Sequence, residues 1–295
     1  MDLNELLQQL SPTDLQQVSL PHYLLGSFRR KSISFYNGLT DEHTIVFWFQ
    51  SRTFTLDLRL SDAHSTPITE RQGWIGDTVL DHTQQLLSWE VHQSYQPRIQ
   101  WPEPATLHAV GNCLLEFSPS NAYVEDWRQL SHTGPLLGLR LYQVQHLDNG
   151  EVFAMDGGLI VAGAHIAYAQ SRLPQIQDKL SDFSRLDQAL AQDVINEAEI
   201  ESYEVSVALN GHKIQYSTQS QRVGESIQLT DFELHDQGII TQIRQIHGED
   251  YLCYFQLDLY QPEFQFVRQS ITSDASHNWL QQEQDHLLKN AQVVE

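Results

Sequence analysis

The sequence predicts an all-β protein with a few flanking helices. From Tyr23 onward, β-branched and aromatic residues alternate with polar ones in short runs separated by Gly, Asn, Asp and Pro. Asn37-Gly38, Asn149-Gly150 and Asn210-Gly211 supply the positive φ angles that tight hairpin turns require. Because many sequential strands would leave exposed edges in an open sheet, we expect an antiparallel β-barrel.

Each run of this kind is predicted to form one strand. The strands are expected near residues 22–35, 43–50, 54–61, 73–80, 86–95, 105–110, 112–118, 122–129, 136–147, 151–156, 158–170, 202–209, 212–219, 225–235, 238–246, 251–260 and 263–268.

Helical spacing interrupts this pattern at three places along the chain. The predicted organisation is N-terminal helices at 1–20, a barrel at 21–172, a helical connection at 173–200, further antiparallel strands at 201–270, and a C-terminal helix at 271–295. The later strands either complete one large barrel or form a second β segment after the connecting helix. The sequence leaves both arrangements open.

Two short helices are expected at the N-terminus. Asp2 is predicted to cap the first, with Glu5 three residues on as its capping-box partner, and Ser11 to cap the second, with Pro12 at its first position. The first helix places its leucines on one face, which favours packing against a barrel end.

Composition and charge limit the classes of partner. Seventeen Lys and Arg against 38 Asp and Glu give a net charge of −21, which repels phosphate backbones and anionic lipid surfaces. No uninterrupted apolar run of about 18 residues is present, and the N-terminus lacks the pattern of a signal peptide. We therefore expect a cytoplasmic protein with a small-molecule partner and with neither nucleic acid nor membrane as a partner; the oligomeric state is left open.

The segment 46–59, VFWFQSRTFTLDLR, is predicted to be a hairpin with an unusual division of side chains. One face of each strand is wholly apolar, whereas the other face carries Trp48, Gln50, Asp57 and Arg59. A loop of even length brings the two apolar faces together, and a slip of one residue would mix the faces. We therefore predict an even loop, with these four side chains on one shared face.

The same mixture of aromatic and charged residues recurs on other predicted strands. If these faces line the inside of a barrel, they form a pocket with aromatic walls and a few charged groups that binds a small anionic or amphipathic ligand. The predicted ligand-binding residues are Phe28, Arg30, Trp48, Gln50, Asp57, Arg59, Tyr123, Glu125, Trp127, Arg140 and Tyr142. The three arginines are expected to grip an anionic group, since a guanidinium can bond a carboxylate or phosphate while stacking on a ring.

A plainer alternative has the apolar face filling the barrel. Asp57 and Arg59 would then form an ordinary ion pair on the outer surface, worth under about 1 kcal/mol. The protein would in that case be structural or an interaction protein with a filled barrel.

Four short segments resemble those of an uncharacterised family of bacterial proteins. They are FRRK at 28–31, VFWFQ at 46–50, LDLR at 56–59 and YVEDWR at 123–128. That family is similar in architecture to the lipocalin-like, calycin-type β-barrels, and the resemblance covers roughly residues 20–170. It implies a lipocalin-like barrel with a cavity and implies no reaction. Lipocalins carry Gly-x-Trp on the first strand, whereas this chain has Gly26-Ser27-Phe28.

No motif of a known reaction is present in the sequence. The 14 histidines show no metal-binding spacing, and the glycines of 156–165 match no phosphate or dinucleotide loop, so no metal and no cofactor is expected. Those glycines instead indicate strand bending or close backbone approach. The remaining alternative is a cofactor-independent enzyme in which Asp57 or Glu125, buried in a barrel, serves as general base.

Overall fold

The computed structural model describes residues 1–98, 103–268 and 273–289, and the chain in these ranges is mostly antiparallel strand, as expected. The strands are β1 Gly26–Phe35, β2 Thr40–Asp41, β3 Ile45–Gln50, β4 Phe54–Leu60, β5 Gln72–Asp81, β6 Leu86–Glu90, β7 Thr106–Val110, β8 Cys113–Phe117, β9 Tyr123–Gln129, β10 Thr133–His146, β11 Val152–Ala162, β12 His165–Gln170, β13 Glu204–Ala208, β14 Ile214–Ser217, β15 Phe232–Leu234, β16 Ile239–Ile246 and β17 Glu249–Gln265.

The helices are short, apart from the last one. They are α1 Leu3–Gln9, α2 Pro174–Gln177, α3 Leu186–Ala191, α4 Glu197–Glu201 and α5 Asp274–Leu288, with single 3₁₀ turns at Leu15–Gln17, His22–Leu24, Asp178–Leu180, Ser220–Arg222 and Asp236–Gly238. The predicted connecting helix is thus divided into α2, α3 and α4. The division follows from local signals, since Asp193 has a positive φ and Asn196 starts α4 with a capping box.

The first nine strands form one nearly closed barrel, which we call barrel A. Its strand order is β6-β5-β4-β3-β1-β9-β8-β7, with β2 paired to β1. A bridge between Leu87 and Ala105 joins the two edges through hydrogen bonds of 2.8 and 2.7 Å. Sequential strands therefore wind around the barrel as a meander, and the first strand pairs with the last.

The remaining strands form a second sheet, which we call sheet B, in the order β14-β13-β12-β11-β10-β17-β16-β15. The sequence analysis placed β10, β11 and β12 in the segment 21–172 together with the first barrel, whereas they pair in sheet B. Of the two alternatives for the later strands, the structure therefore has the second: they belong to a second sheet and do not complete one large barrel.

Some predicted boundaries are wrong for identifiable reasons. The break expected near Gly157 lies instead at Gly163, whose φ of +60° makes the turn between β11 and β12. The break expected near Pro262 does not occur, because β17 passes it through a bulge opposite β10. Residues 269–272 and 290–295, which belong to the predicted second strand segment and C-terminal helix, lie outside the described residues.

The N-terminal segment closes the ends of both sheets. Helix α1 has the predicted capping box of Asp2 and Glu5, and it buries Leu6 in the core of sheet B. The second predicted helix is absent from the described chain at Ser11, because Thr13 instead exchanges hydrogen bonds with the backbone of Tyr260. Residues 18–25 then pack into one end of barrel A.

The interface between barrel A and sheet B accounts for the apolar face of the hairpin. It contains Phe47, Phe49, Phe54, Leu56, Leu58 and Leu60 from β3 and β4, packed against the outward side chains of β11, β12 and β13 and against the connecting helices. Small residues on sheet B permit this approach. A Cβ at Gly158 would lie 2.6 Å from the Phe54 ring, so the close backbone approach predicted for the 156–165 glycines is confirmed there.

We expect Leu58→Ala to lower the free energy of unfolding by about 2–5 kcal/mol, because Leu58 is fully buried in this interface. The matched control is Leu39→Ala, at a residue that is 65% exposed, for which we expect a change within about 0.5 kcal/mol. Urea denaturation of both variants measures the difference. Equal losses in the two variants would contradict the interface described here.

Candidate functional site

The polar face of the β3–β4 hairpin lies inside barrel A. Gln50 pairs with Thr55 and Trp48 with Asp57, so the loop has the predicted even length and the two faces do not mix. Trp48 and Asp57 are each only 2% exposed. Both faces of this hairpin are therefore buried, the apolar one against sheet B and the polar one within the barrel.

Neighbouring strands bring further side chains to the same interior, three of them predicted and one, Glu116, not predicted. Arg30 on β1 lies opposite Trp127 on β9, and Glu125 on β9 lies opposite Glu116 on β8. All four side chains are buried. Together with the hairpin, the strand register thus brings side chains from five strands, β1, β3, β4, β8 and β9, around one interior space.

Aromatic rings form one wall of this space. The Trp48 ring stacks on Phe28 at a centroid distance of 4.8 Å and meets the edges of Trp127 at 5.5 Å and Trp89 at 5.9 Å. Trp74 adds a fourth indole, 6.2 Å from Trp89. Such edge-to-face contacts hold the rings in defined orientations.

Charged side chains lie next to these rings, with Asp57 between Trp48 and Trp74 in the register, and the arginines among them are already paired. Arg59 Nε and Nη2 donate to the two carboxylate oxygens of Asp57 at 2.8 and 3.2 Å. Arg30 donates to Glu125 at 2.7 Å and to Asp41 at 3.1 Å. Burial raises the pKa of the Asp57 carboxyl, while the Arg59 guanidinium acts to lower it.

Glu116 differs from the other two carboxyls because no arginine bonds it. Its Oε2 accepts a hydrogen bond from Trp127 Nε1 at 2.9 Å, whereas its Oε1 accepts none from the residues that the structure describes. Burial and the opposing carboxylate of Glu125 raise the pKa of Glu116 well above its ordinary value. Both causes oppose the ionisation of Glu116 opposite Glu125.

A small cavity lies among these aromatic and charged side chains. Its volume is about 20 Å³, enough for one water-sized group. We call it the chamber, and its lining residues are Trp48, Asp57, Arg59, Trp74, Trp89, Glu103, Glu116, Tyr123, Glu125 and Trp127.

A larger cleft begins on the other side of Arg59. This outer cleft has a volume of about 490 Å³ and is lined by Thr44, Arg59, Leu60, Ser61, Thr69, Glu70, Gln72, Gln96, Arg185 and Asp187. Arg59 is the one side chain that contributes to both lining sets among the described residues. The guanidinium and its Asp57 partner therefore separate the chamber from the cleft.

Five of the predicted site residues do not line the chamber, namely Phe28, Arg30, Gln50, Arg140 and Tyr142. Phe28 lies behind Trp48 and supports its ring, and Gln50 accepts from Trp48 Nε1 at 3.1 Å while its amide nitrogen donates to the β3–β4 turn. Arg30 reaches the chamber only through Glu125. Arg140 is on β10 in sheet B, where it pairs with Asp77 and Asp156.

Arg140 and Tyr142 were predicted to share a face with the other site residues, but both lie on sheet B. Tyr142 is 42% exposed on sheet B beside Tyr254. Neither residue joins the others, because strand β10 begins the second sheet after β9 has closed barrel A. Alternation within a strand indicates which residues share a face, but not which sheet the strand enters.

Sequence analysis missed four lining residues, namely Trp74, Trp89, Glu103 and Glu116. The sequence did contain a signal for Glu116, because Glu116 and Leu114 lie on the same face of the strand predicted at 112–118. Pairing that strand with 122–129 in a hairpin register would have set Glu116 against Glu125.

Comparison with protein-family models, curated proteins and solved structures gave no match to this chain. In the described part of the chain, no helix is both long and apolar enough to cross a membrane. Within the same ranges, no group of three or more His, Cys, Asp and Glu side chains is arranged to hold a metal ion. The chemistry of this protein must therefore be argued from the chamber itself.

We expect Glu116→Gln to make the folded state more stable at neutral pH. The ordinary glutamate pKa of 4.5 applies to the unfolded state, whereas the pKa of Glu116 in the folded state is higher. Below pH 4.5 the carboxyl is protonated in both states, so it does not change the free energy of unfolding. As the pH rises above 4.5, ionisation stabilises the unfolded state, while burial and Glu125 oppose ionisation in the folded state. The wild type thus loses stability with rising pH through this window, and the variant loses less. Denaturant titrations across this pH range measure the difference.

The matched control is Glu263→Gln, which removes the same charge from an exposed position on β17. Its difference from the wild type should not grow as the pH rises. A Glu116→Gln variant that is less stable than the wild type at neutral pH would contradict the raised pKa.

Proposed function

We propose that this protein binds a small molecule through barrel A, with a polar head group in the chamber and the rest of the molecule in the outer cleft. The observation that carries the proposal is the composition of the barrel interior. Four indole rings, four carboxyl side chains and Arg59 line the chamber.

Energetics support a functional role for these side chains. Moving an ionised group into a protein interior costs several kcal/mol, and an apolar core of similar volume is often as stable or more stable. Barrel A buries Asp57, Glu116 and Glu125 at this cost. Strongly perturbed carboxyls in a concave aromatic site are typical of binding and catalytic sites.

The volumes of the chamber and of the outer cleft also fit a ligand with a small head group and a larger remainder. The outer cleft lies in the range of about 300–1,000 Å³ typical of small-molecule sites, and the chamber adds room for one small group. The barrel architecture supports the resemblance to lipocalin-like proteins, in which ligands enter one end of the barrel. We propose that kinship on these grounds.

The contacts argue against the anionic ligand expected from the sequence. Arg30 and Arg59 are each satisfied by carboxylates, and Arg140 lies in sheet B. An anion entering the chamber would have to displace a paired carboxylate and would face the unbonded oxygen of Glu116. A neutral or cationic head meets neither obstacle.

An acid–base enzyme is the second candidate, and the carboxyl pair favours Glu116 over the predicted Asp57 or Glu125. An arginine bonds each of the latter two, whereas burial and the opposing Glu125 raise the pKa of Glu116, which favours Glu116 as the proton donor. Mass spectrometry of a bound ligand before and after incubation tests this candidate. A ligand recovered unchanged would contradict turnover while leaving binding intact.

Ligand binding is tested by native mass spectrometry of the purified protein, followed by a thermal-shift panel of small amines, alcohols and carboxylic acids. We expect at least one compound to raise the melting temperature, because a ligand that binds only the folded state stabilises it. In Trp89→Phe the affinity for that compound should fall about tenfold, since an indole wall is lost.

The matched control is Trp279→Phe, which alters an exposed tryptophan on α5 and should leave the affinity unchanged. The absence of both a co-purifying ligand and any stabilising compound would support the filled-barrel alternative and contradict the proposal. Binding that Trp89→Phe does not weaken would contradict the chamber as its site.

A further inference from the structure

Two of the four indole N–H groups in the chamber lining have an acceptor within the protein, and two do not. Those of Trp48 and Trp127 donate to side-chain oxygens at 3.1 and 2.9 Å. The buried Nε1 atoms of Trp74 and Trp89 have no acceptor among the described residues. Both rings line the chamber, and Trp74 is only 6% exposed. Because a buried donor without an acceptor is costly, these two groups favour a ligand that brings an acceptor into the chamber.

The two unpaired donors belong to neighbouring rings. Trp74 lies on β5 and Trp89 on the adjacent strand β6, and their ring centroids are 6.2 Å apart. Two N–H groups that bond the same oxygen lie within about 6 Å of each other, since each donor–acceptor distance is about 2.9 Å. The ring spacing thus suits a single shared oxygen atom.

The charges of the lining decide what kind of acceptor can enter. Four carboxyl side chains line the chamber, and Arg59 in the same lining is already paired with Asp57. An anionic acceptor such as a carboxylate would lie against these acids and be repelled. An ammonium group has no lone pair and cannot accept a hydrogen bond from an indole. The lining therefore favours a neutral acceptor.

A hydroxyl group matches these requirements. Its oxygen has two lone pairs, one for each indole N–H, and its O–H can donate to a carboxyl oxygen of the lining. A ketone carbonyl would accept both bonds but would donate none to the acids. The chamber volume of about 20 Å³ admits one group of this size. A bound water has the same groups, so a ligand hydroxyl can replace it without loss of hydrogen bonds.

The outer cleft extends the same preference beyond the head group. Leu60 is the one apolar residue among the ten that line it, and two arginines and two acids balance its charge. The other five residues carry hydroxyl or amide groups, which both donate and accept hydrogen bonds: Thr44, Ser61, Thr69, Gln72 and Gln96. A hydrocarbon chain would gain little here, whereas further hydroxyl groups would find partners.

We propose that barrel A binds a neutral polyhydroxylated molecule, a sugar or a linear polyol, with one hydroxyl in the chamber bonded by Trp74 and Trp89 and the remaining hydroxyls in the outer cleft. This inference rests on the ligand-binding function proposed above and specifies its ligand class. The carbon that carries the inserted hydroxyl then lies among the indole rings, whose electronegative faces attract its polarised C–H bond. Arg59 lies where the molecule passes from the chamber into the cleft.

Affinities for two groups of probes test the ligand class. Glucose, maltose, sorbitol and inositol are compared with hexanol and hexylamine by isothermal titration calorimetry at neutral pH. We expect at least one polyhydroxylated probe to bind at least about tenfold more tightly than hexanol and hexylamine, because hydrogen bonds in the cleft add to those in the chamber. Glucose and sorbitol present similar hydroxyls on a ring and on an open chain, so their relative affinities distinguish a sugar from a linear polyol.

Nuclear magnetic resonance tests the proposed contacts directly. In protein labelled with nitrogen-15, the tightest polyhydroxylated probe should shift the indole N–H signals of Trp74 and Trp89 and leave the signal of the exposed Trp279 unchanged. Single Trp→Phe variants assign the signals. Shifts confined to other tryptophans would overturn the proposed contacts.

Replacement of Trp89 by benzothienylalanine keeps the ring system and removes its N–H group. It should weaken the tightest polyhydroxylated probe about three- to tenfold, the loss expected for one hydrogen bond. The same replacement of Trp279 should leave the affinity unchanged. Wild-type affinity after replacement at Trp89 and at Trp74 would overturn the inferred hydroxyl site.

The outcomes separate the two proposals. If hexanol or hexylamine binds more tightly than every polyhydroxylated probe and is weakened by Trp89→Phe, the ligand-binding function stands and the ligand class is wrong. If polyhydroxylated probes bind without shifting the signals of Trp74 and Trp89, the chamber holds water only and the inferred hydroxyl site is wrong. If no probe binds and no ligand co-purifies, both proposals fall.

Discussion

Burial of both faces of the β3–β4 hairpin is the constraint on which the rest of this structure depends. Its apolar face forms the contact between barrel A and sheet B, and its polar face supplies Trp48, Asp57 and Arg59 to the barrel interior. A slip of one residue would place Asp57 against sheet B and phenylalanines in the chamber. Fold and site are therefore determined by the same register.

Contacts from sheet B hold that register. Asp258 on β17 accepts hydrogen bonds from Ser51 Oγ at 2.6 Å and from Thr53 N and Oγ1 at 3.1 and 2.7 Å, all within the β3–β4 turn. A Cβ at Gly138 would overlap Ser51, so the two sheets approach closely at this point. The turn that sets the polar face of barrel A is thus anchored by the other sheet.

The three buried acids of the barrel interior differ in their hydrogen-bond partners. Asp57 and Glu125 each have an arginine, whereas Glu116 has the indole N–H of Trp127 as its partner, and burial together with Glu125 raises its pKa. Ionisation of all three acids would leave the carboxylate of Glu116, which lies opposite Glu125, without a cationic partner among the described residues.

Sequence alone determined the strand content, the capping box of α1 and the even loop of the hairpin. These features depend on neighbours within a few residues, which the alternation and turn residues specify directly. It also grouped Trp48, Asp57 and Arg59 with Glu125 and Trp127, because strand parity decides which side chains share a face. Parity could not decide whether that face would point to water, to another sheet or to a cavity.

Only the tertiary structure decided those matters. Sheet B covers the apolar face of the hairpin, which leaves the polar face to line the barrel, and it removes Arg140 and Tyr142 from the group. The pairing of β8 with β9 sets Glu116 against Glu125, and the closure between Leu87 and Ala105 brings Trp89 to the same interior. These contacts join residues far apart in the chain, and their register depends on how both sheets pack, which local pattern does not encode.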